Sequence, residues 1–121
     1  MIRLLLVDDE PAILKGLRMR LAAEPDVLVI GEATDGNTAL TLAPALRPDI
    51  VLIDFQMPHM DGIATTKALR TICPNITVIM LSIHDDAATR ASAEDAGVSA
   101  FVTKHASMNE LLATIRQAAV K

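Results

Sequence analysis

Short apolar runs alternate with stretches of helical periodicity five times along this chain. Ile2 to Val7 is Leu-rich and runs into Asp8-Asp9-Glu10, the pattern of a buried strand that surfaces at its end. Pro11 opens a helix at a favourable first-turn position, with Ile13, Leu14, Leu17 and Leu21 expected along one face. After a Glu24-Pro25-Asp26 break, Val27 to Gly31 is expected as the second strand, and Thr38 to Leu46 as a helix stopped by Pro48. Ile50-Val51-Leu52-Ile53, apolar at every position, is the third strand. Met57-Pro58 and Asp61-Gly62 mark a loop before a helix from Ile63 to Ile72. Pro74-Asn75 breaks that helix, and Ile76 to Leu81 is the fourth strand. Ala87 to Ala96 is a helix closed by Gly97, and Ala100 to Thr103 is the fifth strand. Ser107, with Glu110 three residues on, reads as a capping box. The last helix then has Met108, Leu111, Leu112, Ile115 and Ala119 as its buried stripe.

Five βα units with continuously apolar strands predict an α/β domain, a parallel sheet covered by helices on both faces. In such a sheet the chemistry belongs at the carboxyl ends of the strands, near the topological switch point. No repeat, low-complexity stretch or internal linker interrupts the pattern, so residues 1–121 are expected to form a single domain.

Composition narrows the function. Hydrophobic residues make up 51% and charged residues 21%, the balance of a folded chain. No apolar run approaches the roughly 20 residues that span a bilayer, and the first residues lack the shape of a signal peptide. Cys73 is alone, fits a small buried hydrophobe at a helix end, and suits a reducing compartment. A cytoplasmic protein is the expectation. The net charge of −4 and the scattered Lys and Arg argue against direct nucleic-acid contact. Two Phe with no Tyr or Trp exclude a stacking platform for single strands.

The polar residues at the strand ends carry the candidate chemistry. Strand one ends in Asp8-Asp9-Glu10, strand three in Asp54, strand four in Ser82 and strand five in Lys104. Carboxylates gathered on one rim repel, and a hard divalent cation with oxygen ligands relieves that repulsion; Mg²⁺ suits such an open site. A carboxylate can also act as a nucleophile and form an acyl phosphate if the incoming phosphoryl charge is neutralised. Mg²⁺, Lys104 and the Ser82 hydroxyl supply one partner for each equatorial phosphoryl oxygen.

Taken singly, these residues have plainer explanations. Asp8-Asp9-Glu10 before Pro11 would complement a helix dipole. Ser82 alone is a turn residue, and Lys104 alone a solvated lysine. Asp54 is different, because a bare carboxylate ending a wholly apolar strand is costly. His59, His84 and His105 fall in loops on the same rim and read as solvent-facing rather than as a transition-metal site. Met57, Met60 and Met108 read as packing.

The motifs Leu6-Val7-Asp8-Asp9-Glu10-Pro11, Asp54-Phe55-Gln56-Met57-Pro58-His59-Met60-Asp61-Gly62, Leu81-Ser82 and Phe101-Val102-Thr103-Lys104 together resemble the receiver domains of bacterial two-component response regulators. The resemblance runs over essentially the whole chain. It implies a flavodoxin-like doubly wound sheet of five parallel strands in the order 2-1-3-4-5. It further implies that Asp54 accepts a phosphoryl group from a sensor histidine kinase and that Asp9 ligates Mg²⁺. Asp8 would act mostly through water, and the Gln56 backbone carbonyl would be a further ligand. Ser82 and Phe101 occupy switch positions; Phe101 lacks the hydroxyl that Tyr would offer, so switching there is expected to rest on packing. His105 follows Lys104 where many members have a cis proline, so no slow prolyl step is expected there.

The first helix, the stretch Gly31-Glu32-Ala33-Thr34-Asp35-Gly36, and Lys104-His105-Ala106-Ser107 look most like the subfamily with a C-terminal helix-turn-helix domain. That output domain would lie outside this chain, with DNA reached through it. A stand-alone regulator and a piece of a longer one both remain open. Homodimerisation on phosphorylation would use either the first and fifth helices or the fourth and fifth.

Two other classes fit less well. An aspartyl-nucleophile phosphohydrolase of the haloacid dehalogenase type wants an acid where Gln56 stands, and a cap domain as well. A flavodoxin-like electron carrier needs a hydroxyl- and glycine-rich loop where Asp8-Asp9-Glu10-Pro11 would repel phosphate. A degenerate receiver that only mediates contacts fits poorly with an intact residue set. The fourth helix offers mostly alanines (Ala87, Ala88, Ala91, Ala93 and Ala96), so Ser82 to Gly97 is expected to be the segment that phosphorylation biases.

Overall fold

A computed structural model describes residues 1–120. The elements follow in strict alternation: β1 (Ile2–Val7), α1 (Pro11–Leu21), β2 (Val27–Ala33), α2 (Gly36–Leu46), β3 (Ile50–Asp54), α3 (Gly62–Ile72), β4 (Thr77–Ser82), α4 (Ala87–Ala96), β5 (Ala100–Thr103) and α5 (Met108–Ala119). All strand pairings are parallel, in the order β2-β1-β3-β4-β5, as the resemblance implies. None of the described helices is long and apolar enough to cross a membrane.

Period-two alternation sorts the strand residues into two cores. Leu4, Leu6, Ile50, Leu52, Ile79, Leu81 and Val102 face α1 and α5, meeting Leu14, Leu21, Leu111, Leu112 and Ile115. Leu5, Val7, Val51, Ile53, Val78 and Met80 face the other side, where Ala39, Ala43, Leu69 and Ala93 pack. Each fully buried Leu or Ile contributes about 1.5–3 kcal/mol, so the α1–α5 face is the more firmly held.

Boundaries moved where caps or pairings intervene. β2 runs on to Ala33, because Val7 pairs with Ala33 after a register shift between Leu4 and Leu5. α2 begins at Gly36, since the Asp35 carboxylate accepts the Thr38 N–H at 2.7 Å. It continues through Pro44 and ends at Arg47 in the left-handed region (φ 52°), one residue before Pro48. α3 starts at Gly62, capped by Asp61. Ser107 caps α5 by accepting the Glu110 N–H at 3.1 Å.

Two stripe residues are misplaced by the periodicity. Ile13 is exposed at the edge of α1, with Leu14 and Leu21 carrying the burial. On α5 Ala119 is exposed, and Ala118 packs on the core instead. Cys73 is half-buried at the end of α3. Of the methionines, Met57 is buried, while Met108 packs half-buried on the α1–α5 side.

α4 is the weakly anchored element. Only Ala93 and Ala96 of its residues are buried, while Ala87, Ala88 and Ala91 face solvent. Amide hydrogen exchange should therefore show α4 opening locally, roughly tenfold or more faster than the central strands β1, β3 and β4. Equal protection of α4 and β3 would refute that ranking.

Candidate functional site

The switch point lies between β1 and β3, whose neighbours on the outer sides are β2 and β4. Each of these two strands runs into an acid at its carboxyl end. Asp8 follows β1 directly and Asp54 closes β3; both are buried, at 2% and 5% exposure. Asp9 is half-buried beside them. Carboxylate oxygens of Asp8, Asp9 and Asp54 lie within 4.8 Å of one another.

One cation answers these charges. Lys104, just past β5, places its Nζ 3.0 Å from Asp54 Oδ1 and 3.2 Å from Asp8 Oδ2. Its own backbone N–H donates to the Ser82 carbonyl at 2.8 Å, which fixes where the side chain starts. The second Asp8 oxygen accepts the Glu10 N–H at 2.9 Å, so the acidic turn folds onto its first member. Ser82 is buried at the end of β4, and its Oγ accepts the His84 N–H at 2.9 Å. Asp9, Glu10, Asp54, Phe55, Gln56, Ser82, Ile83 and Lys104 thus line a cleft of about 190 Å³.

Charge balance in the cleft is incomplete. Burial pushes the Asp54 carboxyl up to about 6, with Lys104 pulling it down and the Asp8 carboxylate pushing it further up. Burial pulls the Lys104 ammonium down, but Asp54 and Asp8 more than offset this and hold it above its ordinary value. One ammonium among three carboxylates leaves net negative charge in a pocket with open oxygen donors. A hard divalent cation fits that donor set.

Every strand-end residue singled out in the sequence therefore meets in one cleft, with two additions. Lys104 contacts Asp8 as well as Asp54. Gln56 stands exposed at the start of the β3–α3 loop, and its side-chain amide lies 3.1 Å from His84 Nε2 across the mouth. His59, His84 and His105 are all exposed. Phe101 is half-buried on the α4 side of β5.

Gly62, in sequence a loop marker and the last residue of the motif that begins at Asp54, packs directly against the site. A Cβ there would lie 2.3 Å from the Asp54 carbonyl oxygen. The Gly62 N–H also donates to the Phe55 carbonyl at 2.8 Å, drawing the start of α3 against the end of β3. The signal was present, as a glycine directly after an Asp cap and a short loop beyond the acid.

With this geometry established, likeness to known proteins becomes informative. Residues 4–116 match the response regulator receiver domain family. LiaR of Bacillus subtilis, a transcriptional regulatory protein, is 39% identical over 119 residues, covering 98% of this chain and 56% of LiaR. A protein-glutamate methylesterase/protein-glutamine glutaminase of Methanospirillum hungatei is 43% identical over 106 residues, 86% of this chain and 30% of that protein. A chain in the CheX-CheY-BeF3-Mg complex from Borrelia burgdorferi matches with a TM-score of 0.90 at 26% identity, covering 99% of this chain and 90% of its own length. The chain spans about half the length, 54% to 56%, of transcriptional relatives such as LiaR. A match over nearly the whole chain, with acids and lysine meeting at the strand ends where that family's motifs fall, settles the kinship: the chain belongs to the response regulator receiver domain family.

Proposed function

We propose that Asp54 is the residue on which this domain is phosphorylated, with the phosphoryl group taken from a phosphohistidine on a sensor histidine kinase. The observation that carries the reading is Asp54 itself, a buried carboxylate ending an apolar strand and touched by Lys104. An Asp54 oxygen attacks phosphorus as the P–N bond to the kinase imidazole breaks. The electron pair leaves with the imidazole nitrogen, which takes up a proton from solvent. Lys104 would hold one phosphoryl oxygen and the Ser82 hydroxyl another, each within reach of the cleft that both line. Asp8, Asp9, Asp54 and the Gln56 carbonyl would hold Mg²⁺, which when bound neutralises phosphoryl charge. The Borrelia complex contains BeF3 and Mg together with a chain similar to this one, which supports a site for the metal without naming its ligands.

On this reading the domain catalyses its own phosphorylation and slow dephosphorylation, and acts as a switch rather than a metabolic enzyme. The acyl phosphate biases two pre-existing states, with Ser82 and Phe101 carrying the difference. The output we infer is transcription through a DNA-binding domain in a longer, cytoplasmic protein, because this chain spans only about half of each transcriptional relative. Homodimerisation would follow phosphorylation. The methylesterase relative marks the alternative, a receiver controlling an enzyme domain.

Intact mass after incubation with acetyl phosphate and Mg²⁺ should show one added phosphoryl group. The addition should vanish in Asp54→Ala and on Mg²⁺ removal; label persisting in either case would end the reading. Lys104→Ala should still accept the group yet leave the exchange pattern of 82–97 unchanged on labelling.

The raised Asp54 pKa sets a second expectation for the metal-free protein. The carboxyl ionises at 3.8 when unfolded and at about 6 when folded, so the protonated acid favours the fold. That contribution is present in full below about pH 4 and is lost as pH rises through about 6. Asp54→Asn removes the loss while leaving Lys104 paired with Asp8. Chemical denaturation should find the Asn variant more stable than wild type by on the order of 1–3 kcal/mol at about pH 8, the gap closing toward about pH 4. An Asn variant that is less stable at the alkaline end would contradict the electrostatics argued here.

A further inference from the structure

Phe101 is covered by a cation. The Arg90 guanidinium carbon lies 4.6 Å from the centroid of the Phe101 ring, in cation–π range. Arg90 sits in the first half of α4, and Phe101 on β5 pairs in register with Met80 of β4. The Arg90 Nε donates to Asp85 Oδ1 at 2.6 Å, and its Nη2 pairs with the same oxygen. Asp85 belongs to the turn between β4 and α4, directly after His84.

This contact matters because of what α4 lacks. The helix buries only two alanines, and the Arg90 cation lying on the Phe101 ring adds a contact between it and β5. Both nitrogens share one Asp85 oxygen, which biases this exposed side chain toward the ring.

We propose that Arg90 is a positioning residue: anchored by Asp85, it caps Phe101 and latches α4 to β5 in the unphosphorylated arrangement. This rests on the assignment of Asp54 and extends it by naming what the phosphoryl group must undo. The Ser82 hydroxyl now accepts the His84 N–H. Donating to a phosphoryl oxygen would draw the Ser82 Oγ into the cleft, and the His84 N–H that it holds would draw the turn carrying Asp85 with it. Arg90 then loses its anchor and Phe101 its cover. The sequence alone suggested a switch of packing at Phe101; the latch adds a charged group that opposes it.

A latch that must open before the phosphoryl state forms lowers the affinity for any mimic of that state by the fraction of open molecules. Calorimetric titration of the metal-loaded protein with beryllofluoride is the test, alongside amide exchange of residues 83–97 without it. Arg90→Met should bind beryllofluoride about two- to fivefold more tightly, the size expected for an exposed cation–π pair. It should also speed exchange across α4. Arg90→Lys, which keeps the cation but not the planar guanidinium, should fall between Met and wild type. Phe101→Leu should resemble Arg90→Met, and the double variant should add nothing beyond the single ones. Unchanged or weaker binding in Arg90→Met, or additive effects in the double variant, overturns the latch. Should wild type bind no beryllofluoride, the assignment of Asp54 fails by itself; the latch is then decided by exchange, and unchanged exchange in Arg90→Met sinks it.

Discussion

Lys104 holding Asp54 and Asp8 at once is the interaction on which this site depends. Without that ammonium, two buried carboxylates on adjacent strands would face each other in a medium that screens poorly. With it, the cleft is tolerable but still short of positive charge, which is the condition a receiver of phosphoryl groups needs. A fully neutralised pocket would have no reason to take up a metal. An unneutralised one would keep Asp54 protonated. The carboxyl at about 6 lies between these limits, ionised at neutral pH yet held at a cost.

Sheet order makes the interaction available. β1 and β3 are neighbours, so Asp8 and Asp54 arrive side by side. β5 lies two strand spacings from β3, roughly 10 Å. Only a long side chain can bridge that gap over β4, and the backbone bond from Lys104 to the Ser82 carbonyl starts it in the right direction. Gly62 contributes from the other side, letting α3 begin against the Asp54 backbone where any side chain would collide.

Much of this was legible in the residues. Apolar runs ending in Asp, Ser and Lys showed both where the strands stop and what they carry, because apolar side chains give way to polar ones where each strand ends. Boundaries set by caps were less visible: Asp35 and Asp61 start helices at glycines that propensity disfavours. Ile13 and Ala119 were misread because the edge of a helical stripe depends on how the helix is rotated in its groove, which periodicity does not report. Contacts between distant side chains, Gln56 with His84 and Arg90 with Phe101, leave no local pattern.

The two faces of the sheet divide the labour. The α1–α5 side is packed with Leu and Ile and would move only at the cost of several large contacts. On the other side, α4 rests on alanines. Period two in β4 and β5 turns both Ser82 and Phe101 toward that second side, in step with Met80. A change at the Ser82 hydroxyl would therefore be delivered to the face least able to resist it. A tyrosine at 101 could exchange hydrogen bonds to mark the two states, but phenylalanine can differ between them only in what covers its ring. Arg90 supplies a cover with a preferred geometry, so under the proposed latch the two states would contend for one aromatic face.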